Sequence, residues 1–345
     1  MKRTVFALVT ITLLISTLPV ATVTRSQRQP VQKRRLDFRI HPFADLFFFV
    51  YRYSSSSDKP PEVEGLAQSV AAAKQLPLIQ TLVDQLPFEL ENSAVASTAF
   101  AQFPENYKTK RGEDVALRAK ATPLGQSLVA FEEPFLKHVW PQHKTLIEKA
   151  VATVEQTLIP KEAECFRYFT GHLGMEEAGS TVRIYFVAET PWPGGFTMWG
   201  KDEARGVCVI SVTAYKGPQL MTAVLHEAIH AFDLETRGTG NVLVQLKDRL
   251  LKAGFKAADP VVITAPHLLV FIQSSETVKR YLDPSFQPYS EGVFTRPALQ
   301  WLVKLELPIW TSYLDGKISR EEALNQIVAA FVKAKSNDTA PKTTP

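Results

Sequence analysis

His226, Glu227 and His230 lie within the pentapeptide His226-Glu227-Ala228-Ile229-His230, and their types and spacing dictate a chemistry. On a helix the two histidines project from one face, close enough for both imidazoles to grip one metal ion. Glu227 is turned about 100° round the same helix, where its carboxylate can reach a water in an open coordination position. Two nitrogen ligands, a third ligand from elsewhere and a carboxylate general base are the parts of a zinc hydrolase, with Zn2+ the expected cofactor. Met221, Val224, Leu225, Ala228, Ile229 and Phe232 supply the apolar face such a buried helix needs. The competing reading is two partly buried histidines on an ordinary helix.

The histidine pair needs a third partner. Asp233 follows His230 by one helical step too many for its short side chain to share the ion, so a supporting role beside an imidazole or at the helix end suits it. A later segment, Pro266-His267-Leu268-Leu269-Val270-Phe271-Ile272-Gln273-Ser274-Ser275-Glu276, places Leu269, Ile272 and Glu276 along one helical stripe. A carboxylate that continues an apolar stripe must be paired, protonated or metal-bound. Glu276 is therefore the expected third ligand, with a salt bridge to Arg280 as its plainer explanation. Glu235, Glu291 and His267 are the alternatives. On a regular helix His267 lies about 180° from Glu276, so the two cannot both face one ion.

The pattern HEAIH, followed after an interval by a helical glutamate, resembles the gluzincin class of zinc metallopeptidases over about residues 181–295. The resemblance implies peptide hydrolysis by a zinc-bound water, His226, His230 and Glu276 as ligands, and a helical second lobe closing the cleft. It also implies a Tyr or His that holds the oxyanion of the tetrahedral intermediate. Tyr289 is the leading candidate for that role, with Tyr281 and His267 as competitors and a purely structural tyrosine as the alternative.

The elements that must position these residues are legible in outline. Thr181–Ala188 and Gly206–Val212 are rich in β-branched and apolar residues and read as strands, separated by the turn-forming Pro191-Trp192-Pro193-Gly194-Gly195. A strand ahead of the metal-binding helix could hold an extended peptide by edge pairing. Helical periodicity runs through residues 62–100 and from Leu124 to Leu158, with Phe131, Phe135, Trp140, Leu146 and Val151 as expected core positions. Beyond the motif, Val242–Ala253, His267–Leu282, Arg296–Tyr313 and Ser319–Lys333 are amphipathic. Leu46–Tyr53 reads as a first buried helix or strand. The expected fold is α+β and predominantly helical, a small sheet packed on the HEAIH helix with a helical C-terminal lobe, as in zincins. The expected divisions are 1–24, 25–61, 62–235, 236–335 and a disordered tail, 336–345.

A length of 345 residues, 45% hydrophobic and 21% charged, describes a globular chain with a sizeable core. A formal net charge of only +4 does not suggest nucleic-acid binding, and no nucleic-acid partner is expected. Lys2 and Arg3 precede an uncharged run from Thr4 to Thr24, the pattern of an export signal, with a retained membrane anchor as the alternative. The positive charge at Arg25, Arg28, Lys33, Arg34, Arg35 and Arg39 reads as a solvated arm. Cys165 and Cys208 allow one disulfide or two buried thiols. The functional expectation is an exported zinc-dependent hydrolase, secreted or periplasmic, acting on a peptide or protein. The contrasting expectation is an inactive, metal-stabilised binding module of the cell envelope.

Overall fold

The computed structural model describes residues 34–76, 91–108, 114–175, 181–192, 194–199, 206–235, 240–290 and 292–336. The leader, residues 25–33 of the arm, Glu291 and the tail after residue 336 lie outside the described residues.

Four strands form the principal sheet: β1 (Leu36–Ile40), β4 (Val182–Val187), β5 (Gly195–Trp199) and β6 (Gly206–Ser211), in the order β1-β4-β6-β5. β4 pairs parallel with β1 and with β6, whereas β5 runs antiparallel to β6 at the far edge. Residues Tyr107–Lys108 (β2) and Asp114–Val115 (β3) make a separate two-stranded ribbon. The helices are α1 (Pro42–Ser54), α2 (Leu66–Gln75), α3 (Ser93–Ala101), α4 (Leu117–His138), α5 (Trp140–Leu158), α6 (Glu162–Leu173), α7 (Pro218–Glu235), α8 (Val242–Lys252), α9 (Pro260–Tyr281), α10 (Gln300–Leu314) and α11 (Arg320–Ser336). The fold is thus mostly helical α+β, with a small mixed sheet, as the sequence led us to expect.

Helices cover both faces of the sheet, which explains why its central strands are almost unbroken apolar runs. Ile184, Phe186, Cys208 and Ile210 point into a core built with α6, α7 and α9. Tyr185, Val187, Val207 and Val209 point the other way, onto α1 and α4. α1 is buried continuously from Phe43 to Tyr51, so it is a core helix and not a surface one. Its Asp45 is fully buried and is stabilised by accepting from the Ala188 backbone N–H at 2.6 Å and contacting His143 Nδ1 at 2.7 Å. This ties α1 to the end of β4. At the start of β6, a Cβ on Gly206 would lie 3.0 Å from the Ala231 Cα. Only glycine there lets α7 sit so close to the sheet.

Two expectations are corrected. The segment from Arg34 to Arg39 is no solvated arm, because it supplies β1. The Glu162 carboxylate accepts from the backbone N–H groups of Arg35 and Leu36, and Arg34 pairs with Glu155 at 2.9 Å. Leu146 is 48% exposed, because the buried stripe of α5 is Ile147, Val151, Val154 and Leu158, one residue out of phase. Trp140 is only partly buried, while Phe131, Phe135 and Val151 are buried. Cys165 and Cys208 are both buried free thiols. α9 is long and apolar enough to cross a membrane by composition, but 72% of its apolar window is buried inside the fold.

Candidate metal centre

α7 carries the HEAIH segment against β5 and β6 on one side and α9 on the other. Its register follows from burial. Leu225, Ala228, Ile229 and Phe232 are in the core, which turns His226 and His230 towards α9 and Glu227 towards β5. α9 answers with His267. His226 Nε2 lies 3.1 Å from His230 Nε2 and 3.1 Å from His267 Nε2. One nitrogen from each of the three imidazoles falls within 4.8 Å of the others, and these three residues form a cluster able to hold a metal ion.

The electrostatics of the cluster suit a cation. Burial, reinforced by the neighbouring imidazoles, holds the His226 pKa well below its ordinary value. Burial and His267 push His230 down to about 3, and burial lowers His267. All three are therefore neutral at ordinary pH and offer lone pairs. A neutral imidazole has one ring proton, so His226 Nε2 cannot satisfy both close nitrogens by hydrogen bonding. His226 Nδ1 is buried without a hydrogen-bond partner among the described residues, so no bond at that end settles its tautomer. Ligands each ~2.0–2.1 Å from one tetrahedral zinc sit ~3.3 Å apart, close to the spacing seen. The donor set fits the ion.

The structure corrects two site expectations. Glu276 does not join the histidines. Its Oε2 accepts from Arg280 Nε at 3.0 Å, and its Oε1 accepts from the Tyr289 hydroxyl at 2.6 Å. The reason is helical phase: α9 runs unbroken through both residues, so turning His267 to the cluster turns Glu276 to the opposite side. Tyr289 is consequently anchored at Glu276 and is not beside the three nitrogens. The side chains of Asp233 and Glu235, and Glu291 altogether, lie outside the described residues.

Glu227 is buried next to His226, and burial pushes its carboxyl up to about 8 although a hydrogen bond from Thr197 opposes the shift. Thr197, on β5, places its Oγ1 2.8 Å from Glu227 Oε2 and 2.9 Å from the Glu227 carbonyl oxygen. A Cβ on Gly195 would come within 3.1 Å of Glu227 Oε1, and one on Gly194 (φ 102°) would overlap the Tyr215 ring. The paired glycines let both side chains press on the backbone where β5 begins. Tyr215 was not singled out from the sequence. Burial, then the negative charge of Glu227, push its hydroxyl up to about 12, with Arg296 opposing. Its position between β6 and α7, two elements that read clearly, was the available signal.

His226, Glu227, His267 and Tyr215 open onto one cleft of about 470 Å³, floored by β5 at Gly195. Its opposite wall is Phe271, Phe286, Val293, Phe294 and Leu299. No family model, curated protein or solved structure matches the chain. What can be said of the function therefore rests on this geometry.

Proposed function

We propose that this chain is a zinc-dependent hydrolase that cleaves peptide bonds, with His226, His230 and His267 as the protein ligands. The observation that carries this reading is a cluster of three neutral imidazoles, two of which, His226 and His267, line one cleft together with the buried Glu227 carboxylate. Three protein ligands would leave a zinc ion room to bind a water, and a purely structural site would need no carboxylate beside it. When bound, the ion would polarise the scissile carbonyl and make a coordinated water acidic. Glu227, whose ionised form a cation held beside it would favour, would take the proton of the attacking water and deliver it to the leaving nitrogen. Thr197 restricts the carboxylate to one rotamer, and Tyr215, protonated at neutral pH, donates to the developing oxyanion. β5 supports a peptide substrate. Among the described residues it pairs only with β6, so its outer edge offers unpaired backbone groups beside Glu227 to an extended chain.

The reading differs from the gluzincin resemblance in its third ligand, a histidine in place of a glutamate, and keeps the HEAIH chemistry. The export-signal-like pattern of residues 1–24 is the basis on which we propose a secreted or periplasmic protein, with a membrane anchor as the alternative, tested by fractionation of the expressed full chain. The functional test is zinc analysis of the purified protein together with a broad peptide-cleavage screen. One zinc per chain and cleavage that is lost in Glu227→Gln support the proposal. Zinc without any cleavage would replace it with the binding-module reading, and absence of zinc after expression with ample metal would remove it.

A further inference from the structure

The wall of the cleft opposite β5 makes a statement about the substrate, and it rests on the hydrolase reading above. The segment after α9 supplies Phe286, Val293 and Phe294, all buried, and these present an apolar surface to the cleft. The wall is braced from behind. Tyr289 packs edge-on against Phe294 with ring centroids 4.9 Å apart, while its hydroxyl is held by Glu276. Glu276 is in turn clamped by Arg280, which also pairs with Asp315 at the end of α10. A wall held from α9 and α10 in this way is preorganised for a ligand and need not be shaped by it.

On the same wall stands Arg296. It is exposed, lines the cleft, and makes no ion pair or side-chain hydrogen bond among the described residues. Its charge is felt by Tyr215 across the cleft. Guanidinium groups recognise carboxylates through a planar pair of N–H donors. We infer that the cleft selects substrates in which a large apolar side chain is accompanied by a carboxylate, with the apolar group against Phe286, Val293 and Phe294 and the carboxylate on Arg296. Arg296 is thus a specificity-determining residue. The carboxylate comes either from an acidic side chain or from a free peptide C-terminus.

Quenched fluorescent peptides test this, sharing one core sequence with Phe placed on either side of the cleaved bond. One arm replaces Glu by Gln beside the Phe; the other replaces the free C-terminal carboxylate by an amide. The wild type is expected to favour the charged member of one arm by about tenfold in kcat/KM, the size of a charge-assisted contact. The arm that shows the preference identifies the source of the carboxylate. Arg296→Ala should erase the preference at unchanged zinc content, and Arg296→Glu should shift it towards Lys-containing peptides. Equal rates for charged and neutral members, or a preference that survives Arg296→Ala, overturn the inference. Binding of the same peptides to Glu227→Gln protein, read by fluorescence anisotropy, separates this from the hydrolase reading. If the wild type cleaves nothing, that reading fails. The Arg296-dependent preference in binding then still decides this inference, and equal binding overturns it.

Discussion

His267 and Glu276 are ionisable residues on the same helix, the first exposed at the cleft and the second buried. The first faces two other imidazoles; the second faces a guanidinium and a phenol. The difference lies in counter-charge. A buried carboxylate that already has a cation and a hydroxyl donor has no need of a metal, and Glu276 has both. Three neutral imidazoles that meet at their Nε2 atoms have no such partner, and they form a group that could hold a cation. An ionisable residue on an apolar stripe thus announces that some partner must exist, and only the neighbouring elements decide which.

The comparison breaks most decisively at the metal. His267→Ala should lose zinc as completely as His226→Ala, whereas Glu276→Ala should bind zinc at one equivalent. Elemental analysis of dialysed proteins distinguishes them, and the opposite pattern would return Glu276 to the ligand set. Next in size is Glu227→Gln. It should retain zinc and lose about 10²–10⁴-fold in kcat, the range for removal of a positioned general base. Near-native turnover in this variant would remove Glu227 from the proposed mechanism.

What the sequence conveyed about these residues follows the range of the interactions involved. Local spacing put His226 and His230 on one helical face, because four residues on a helix is a geometric fact independent of tertiary structure. The strands β4 and β6 were legible because burial on both faces leaves dense β-branched and apolar runs. β1 was hidden under the charges of Arg34, Arg35 and Arg39, which find partners such as Glu155 only once the chain is folded. β5 was hidden because its first residue is Gly195, in a segment whose glycines and prolines read as a turn. The third ligand was misassigned because a carboxylate on the apolar stripe Leu269–Ile272–Glu276 shows that it needs a partner and not which one, and the partners are Arg280 and Tyr289. α9 starts at Pro260 and carries Pro266 inside it. An internal proline forgoes one helical hydrogen bond, and here the burial of the helix outweighs that cost. Tyr289 was expected at the ion only through the resemblance, and its hydroxyl bonds Glu276 instead.

A third carboxylate sharpens the contrast through stability. Glu306, on α10, is fully buried, and neither oxygen has a hydrogen-bond partner among the described residues. Burial raises its pKa well above the ordinary value, so the folded chain keeps a proton that the unfolded chain releases near its own pKa of about 4.3. The folded state binds more protons, and stability therefore falls as pH rises from that unfolded value towards the folded one. Glu306→Gln should flatten this slope: denaturant midpoints should match the wild type near pH 4 and exceed it near pH 8. Equal slopes would mean that Glu306 has a partner. Glu276 has the partners that Glu306 lacks. Glu276→Ala should cost about 2–3 kcal/mol at neutral pH, because it strips a charge-assisted bond and leaves the Tyr289 hydroxyl unsatisfied.

The smallest effect tests whether the Glu276 side of α9 reaches the cleft. Tyr289→Phe deletes one hydroxyl and keeps the ring against Phe294, so it should cost only about 1 kcal/mol of stability. Glu276 keeps Arg280, so its charge stays compensated. If the Tyr289–Glu276 bond braces the apolar wall, its loss loosens a surface that binds substrate equally in the ground and transition states. KM should then rise by a few-fold while kcat and zinc content hold steady. A fall in kcat at constant KM would instead place Tyr289 at the reacting atoms, the role expected of it from sequence. Kinetics of this one variant thus decide whether the two faces of α9 work separately, one for the ion and one for the wall, or together.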